Sequence, residues 1–185
     1  MKRYKLVIVM LIGSVAINVV LAHRLSQFNS LLGTARVESL KSGVTVPPLH
    51  ALDMEGQART VNYDEVSQPT VLYILTPSCS WCMRNMDNFT QLVAQKKKEY
   101  RFIAVSLSKE DLAEYIRTNK LMIPVYLSPS SDIQRAYKLG GTPQTIVVSS
   151  EGRVLKNWEG AYVGEQKAQI EAFFHVTLPG VRPGS

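Results

Sequence analysis

Thr70-Val71-Leu72-Tyr73-Ile74-Leu75 runs directly into Thr76-Pro77-Ser78-Cys79-Ser80-Trp81-Cys82. The first six residues are β-branched, aliphatic or aromatic without a polar break, the pattern of a strand buried on both faces. Beyond the cysteines, Cys82, Met86, Phe89 and Val93 recur at helical spacing, which predicts a helix from the tetrapeptide to about Lys97. A Cys-x-x-Cys therefore sits where a strand hands over to a helix.

That position has a chemical use. The unsatisfied N–H groups and the positive dipole end of a helix N-terminus favour an anion, so Cys79 is placed to be the attacking thiolate. Three residues later the chain has turned almost once, and Cys82 can reach the same sulfur as the resolving thiol. These are the only 2 cysteines of 185 residues, which excludes a disulfide-dense scaffold and a self-contained Cys₄ zinc site. The 3 histidines, His23, His50 and His175, are not paired at ligand spacing. Met83 stands where covalent haem attachment needs a histidine. Copper held by the two thiols with Met83 and Met86 is a rival reading. A purely structural disulfide over so short a loop would stabilise little.

Downstream, the residues predict a strand at Arg101–Leu107, a helix from a Ser108 cap with Asp111 three residues on, a short strand at Pro124–Leu127 and a short helix at Asp132–Leu139. A hairpin of Thr145–Val148 and Val154–Trp158 turns at Glu151-Gly152, and a last helix covers Glu165–Phe174. Upstream, His50–Gln57 and Arg59–Val61 read as a further hairpin. Strands alternating with helices imply a central sheet covered on both faces. Gly140-Gly141-Thr142-Pro143 opens the strand after the short helix and reads either as a simple turn or, about sixty residues after a Cys-x-x-Cys, as a cis proline whose preceding carbonyl and N–H lie beside the cysteine pair.

The N-terminal third is of another kind. Of 21 Lys and Arg residues, Lys2, Arg3, Lys5, Arg24, Arg36 and Lys41 lie before residue 44, opposed only by Glu38. The rest carries 15 basic and 14 acidic residues, so the formal net charge of +6 does not signify a nucleic-acid-binding face. Lys96-Lys97-Lys98 reads as a solvated helix end. Lys2-Arg3-Tyr4-Lys5 precedes an uncharged run, Leu6–Ala22, about 25 Å long as a helix and near the short limit for a bilayer. We read residues 1–24 as a signal anchor with a cytoplasmic N-terminus and the domain outside, single-pass in the cell membrane. A signal peptide cleaved after Val20-Leu21-Ala22 is the alternative and leaves the domain in the same compartment. Leu21, Leu25, Phe28, Leu32 and Ala35 at four-three spacing suggest a helical spacer over 25–43, either lying on the domain or serving as a dimer stalk. Gly43 and Pro47-Pro48 close it, leaving a domain at 44–178 and a tail at 179–185.

The Cys-x-x-Cys, the added hairpin, Tyr137-Lys138-Leu139-Gly140-Gly141-Thr142-Pro143 and the final ββα resemble the thioredoxin fold. From about Val44 to Phe174 they resemble the membrane-anchored, extracytoplasmic redoxin group of the TlpA-like and ResA-like kind. The resemblance implies a mixed sheet flanked by helices with an N-terminal hairpin extension, no cofactor, and thiol–disulfide exchange with protein substrates. It assigns Cys79 as nucleophile, Cys82 as partner, and Thr142, Pro143 and Trp81 as the substrate-facing surface. It also implies a membrane thiol electron donor and a reductase role, with apocytochrome c thiols as one candidate substrate. The chain departs from thioredoxin itself at Tyr73, where thioredoxin has a buried Asp, and from the anchored group at Asn85, where members often carry Glu, so no carboxylate is evident to accept the Cys82 proton. Thr76-Pro77-Ser78-Cys79 also fits the peroxidatic spacing of peroxiredoxins, a second rival, whose site arginine would be Arg84, Arg135 or Arg153.

Overall fold

In the computed structural model, alternation along one strand builds both halves of the core. The structure describes residues 13–14, 17–24, 39–127 and 129–183. The β-strands are β1 (Leu49–Leu52), β2 (Ala58–Val61), β3 (Thr70–Leu75), β4 (Arg101–Ser106), β5 (Val125–Leu127), β6 (Gln144–Val148) and β7 (Val154–Glu159). The helices of the same unit are α1 (Ser80–Lys96), α2 (Leu112–Thr118), α3 (Ser131–Ala136) and α4 (Gly164–Phe174). They form one seven-stranded sheet in the order β2-β1-β5-β4-β3-β6-β7. Strands β3, β4 and β5 are parallel, and the two hairpins pair antiparallel at either side, which makes the sheet mixed.

Every residue of β3 is buried. Val71, Tyr73 and Leu75 face one side, where Met86 and Phe89 of α1, Tyr115 of α2 and Phe174 of α4 pack. Leu72 and Ile74 face the other, against Ile133, Tyr137 and the segment around Val46. The period of two thus feeds two apolar layers, which is why the run shows no polar gap.

Several boundaries differ from the sequence reading. The helix expected from a Ser108 cap starts only at Leu112. Ser108 Oγ instead accepts the Glu110 N–H at 3.2 Å in a local turn. Asp111 has φ +56° and makes no capping bond, so helical hydrogen bonding cannot propagate through it. The helix expected at Asp132–Leu139 begins one residue earlier, because Ser130 Oγ accepts the Ile133 N–H. It stops at Ala136, before Lys138 at φ +51°.

The chain divides into Met1–Glu38 and Ser39–Ser185. Ser39–Gly43, read as the end of a helical spacer, belong to the second unit and are not helical. Leu40 is buried in its core, the Gly43 N–H donates to Val154 O at 2.7 Å and the Val154 N–H to Val44 O at 2.8 Å, so the segment passes through a turn at Ser42-Gly43 and is fixed by pairing to β7. Residues 179–182, read as tail, are also docked: the Gly180 N–H donates to Asn88 Oδ1 at 2.7 Å and the Arg182 N–H to Arg84 O at 2.8 Å. In the first unit, residues 13–14 and 17–24 are helical. Among the described residues no helix is long and apolar enough to cross a membrane. Most of the expected anchor, including Lys2–Lys5, and the seam from Leu25 to Ala35 lie outside the described residues.

Candidate active site

The site grows out of the β3–α1 junction. Cys79 is the N-cap of α1, with extended φ −77° and ψ 111°. Its Sγ takes the role an N-cap oxygen usually has, accepting the Cys82 N–H at 3.2 Å. The Cys79 N–H donates to Thr76 O at 3.0 Å, closing the turn that aims the sulfur outward. The Cys79 thiol donates to the carbonyl of Thr142 at 3.2 Å. Thr142-Pro143 is a cis peptide bond, so the loop singled out in the sequence does lie against the cysteine pair. Thr142 Oγ1 is 3.5 Å from Thr76 Oγ1 across the same gap.

The two sulfurs are unequal. Cys79 is partly exposed and Cys82 wholly buried, and neither is bonded to the other. Burial, followed by the Cys79 side chain, pushes the Cys82 thiol up to about 12. Cys82 is therefore a neutral thiol at physiological pH, and it becomes a nucleophile only as its proton leaves.

Trp81, Thr142 and Pro143, the three residues assigned to substrate contact, line one cleft of about 220 Å³ together with Ala161, Val163 and Gln166. Trp81 is 45% exposed, and Arg84 stacks its guanidinium over the indole at 4.3 Å. An aromatic face beside a partly exposed sulfur, in a cleft lined by Thr142 and Pro143, can receive a side chain of a peptide.

Beneath Cys82 lies a buried polar network that only the tertiary structure assembles. Asn85 Nδ2 donates to Tyr73 Oη at 3.2 Å, while Asn85 Oδ1 accepts the Tyr162 N–H at 2.9 Å and Asn88 Nδ2 at 3.0 Å. Tyr162 Oη and Thr145 Oγ1 are 2.8 Å apart. The two departures noted in the sequence, Tyr73 and Asn85, are thus bonded to each other. Helix spacing was a usable signal for half of this, since Asn85 follows Cys82 by three residues and shares its face.

The rival ligand sets do not converge. Met83 is 50% exposed while Met86 is wholly buried in the core, so the two soft donors do not share an opening. Among the described residues no group of three or more His, Cys, Asp or Glu could hold a metal ion. Arg135 pairs with Asp132 on α3, and Arg153 bonds the Gly43 carbonyl. Arg84 is taken up by Trp81 and the Arg182 carbonyl.

Residues 41–172 match the family described as Redoxin. The chain belongs to the Redoxin family. Among curated proteins it is similar to the sporulation thiol-disulfide oxidoreductase A of Bacillus subtilis, 21% identical over 119 residues, covering 58% of this chain and 72% of that one. It is also similar to the thiol-disulfide oxidoreductase ResA of Bacillus cereus, 23% identical over 146 residues, covering 77% and 82%. Among solved structures, the thioredoxin domain of a thiol-disulfide oxidoreductase from Bacteroides vulgatus aligns with a TM-score of 0.60 at 22% identity, over 74% of this chain and 99% of that one. This redoxin is a TlpA/ResA-like protein of thioredoxin-like fold and an enzyme of the thiol–disulfide oxidoreductase class.

Proposed function

We propose that this redoxin exchanges disulfides with protein substrates through Cys79 and Cys82, working as a reductase outside the cytoplasm and held at the membrane by residues 1–24. The observation that carries the site assignment is the Cys79 sulfur, which sits at the α1 N-terminus between the Cys82 N–H and the Thr142 carbonyl, each at 3.2 Å.

The steps follow from the unequal burial of the sulfurs. The Cys79 thiolate attacks one sulfur of a substrate disulfide, and the other substrate sulfur leaves as a thiolate. The substrate chain lies along Thr142 and Pro143 with a side chain against Trp81. Cys82, having lost its proton, then attacks the Cys79 sulfur. The Cys79–Cys82 disulfide forms, the mixed disulfide breaks, and the second substrate thiol is released reduced. A membrane thiol carrier restores the dithiol. Apocytochrome c thiols are the candidate substrate that resemblance to the ResA-like group suggests.

Two measurements test this. A Cys82→Ser variant accumulates a covalent adduct with a protein disulfide and Cys79→Ser does not; adduct formation on Cys79→Ser at the same rate refutes the assignment. The equilibrium potential of the pair against glutathione gives the direction: near about −270 mV supports a reductant, and near about −120 mV an oxidant. Membrane retention of the full chain and its loss on removal of residues 1–24 tests the anchor.

A further inference from the structure

Residues 176–183 form no helix or strand, yet they are tied down where chain ends usually fray. Leu178 is buried, and its N–H donates to Glu171 Oε1 at 2.7 Å. Gln95 Nε2, near the C-terminal end of α1, donates to Thr177 O at 3.2 Å. From Gln95 through Asn88 to Arg84, the segment runs back along α1 toward the cysteines. At its far end Arg182 and Arg84 are joined twice. The Arg182 N–H donates to Arg84 O and Arg84 Nε donates to Arg182 O, both at 2.8 Å. The Arg182 guanidinium in turn forks onto Asp87, with Nε 2.7 Å from Oδ2 and Nη2 on Oδ1.

We propose that Arg182 is a positioning residue for the substrate-facing indole: the C-terminal segment holds Arg84, and Arg84 holds Trp81. This rests on the assignment of Trp81 to substrate contact above. Helix spacing brings Arg84 near Trp81, three residues earlier, but equally near Asp87, three residues later. An unstrapped Arg84 would pair with that carboxylate and leave an exposed indole free to turn. Arg182 prevents this in two ways. Its fork occupies both Asp87 oxygens. Its carbonyl fixes the Arg84 Nε–H, which lies in the guanidinium plane and so sets where that plane points. The guanidinium comes to rest 4.3 Å from the centre of the Trp81 ring. Trp81 is then a preset wall of the cleft it shares with Thr142 and Pro143, and an arriving substrate side chain does not have to order it. None of these bonds involves Cys79 or Cys82, so the effect belongs to recognition and not to the exchange step.

The test mixes reduced protein with rising concentrations of a peptide disulfide that carries an aromatic residue beside one cysteine, and follows oxidation to saturation. Arg182→Ala is expected to raise the half-saturating concentration about two- to tenfold and to keep the wild-type limiting rate. Its rate with a small aliphatic disulfide, which has no side chain to offer Trp81, stays unchanged. Acrylamide quenching of tryptophan fluorescence reads the indole directly, because Trp81 is exposed and Trp158, the other tryptophan, is buried. Quenching should increase in Arg182→Ala. In an Arg84→Met protein, which has already lost the guanidinium, adding Arg182→Ala is expected to change neither quantity further. Half-saturation or quenching at the wild-type value, or a rise by the same factor in both backgrounds, overturns the proposal. If Trp81→Ala leaves half-saturation unchanged, the substrate-contact assignment itself fails; if the wild-type protein does not react with the aliphatic disulfide, the cysteine assignment fails.

Discussion

Each face of the sheet buries a chain of hydroxyls, and the two chains are put together differently. On the α3 face, Tyr63 Oη and Tyr137 Oη are 2.6 Å apart, and Tyr137 donates onward to the Pro47 carbonyl, so Tyr63 is the donor to Tyr137. Both oxygens are satisfied and the chain ends on backbone, tying the segment before β1 to α3. On the α1 face, Tyr73, Asn85, Asn88 and Tyr162 form a network of neutral groups under Cys82, and Tyr115 beside it is left unpaired. A satisfied buried network rigidifies, whereas an unsatisfied one is tolerated where chemistry uses it. The same residue type is therefore fully paired on one face and left with an unpaired hydroxyl on the other.

The sharpest way to break this contrast is to remove one group from each face. Cys79→Ser is expected to abolish reduction of a protein disulfide, read as turnover, with little change in thermal midpoint. Turnover above a few per cent of wild type would sever the α1 face from function. Tyr137→Phe is expected to do the reverse. It leaves the Tyr63 hydroxyl and the Pro47 carbonyl unpaired and lowers unfolding stability by about 1–3 kcal/mol, read from the denaturant midpoint, while disulfide turnover keeps its rate. Altered exchange in Tyr137→Phe would mean the two faces are coupled.

A pH titration sharpens the comparison further. Burial retains the Cys82 proton in the folded chain between the ordinary thiol value, 9.0, and about 12. An unfolded chain has already released that proton in this window, so stability of the reduced protein falls as pH rises through it. The oxidised protein lacks the thiol, and the phenols titrate in both forms. Reduced-minus-oxidised stability, from paired denaturant curves, should thus be flat below pH 9.0 and decline above it. A flat difference throughout would show that Cys82 is not held as a neutral thiol. The smallest effect is expected at Arg135, which is paired with Asp132 in solvent on α3, with side-chain exposures of 73% and 82%. Arg135→Ala should leave stability within about half a kcal/mol and leave exchange untouched. A loss of peroxide reactivity in that variant would revive the peroxiredoxin reading.

Much of the site could be read locally. The unbroken apolar run of Thr70–Leu75, the spacing of Cys79 and Cys82, and the Thr142-Pro143 turn are features of neighbouring residues, and each falls where the local pattern puts it. Tyr115 could not be found that way. It lies on a helix whose start is displaced by a serine turn and a left-handed Asp111, and nothing beside it in sequence signals chemistry. Arg182 was equally hidden, since its bonds to Asp87 and Arg84 join residues about a hundred positions apart.

By itself the sequence determined that two sulfurs would share the first turn of a helix fed by a buried strand, because helical pitch and strand alternation are properties of successive residues. Only the tertiary structure decided what surrounds those sulfurs: the Thr142 carbonyl on Cys79, Asn85 locked to Tyr73 and Tyr162, and a phenol left unpaired against the cleft. Those contacts depend on strand order and on which helix covers which face, and these follow from the burial free energy of the whole chain, which no local periodicity encodes.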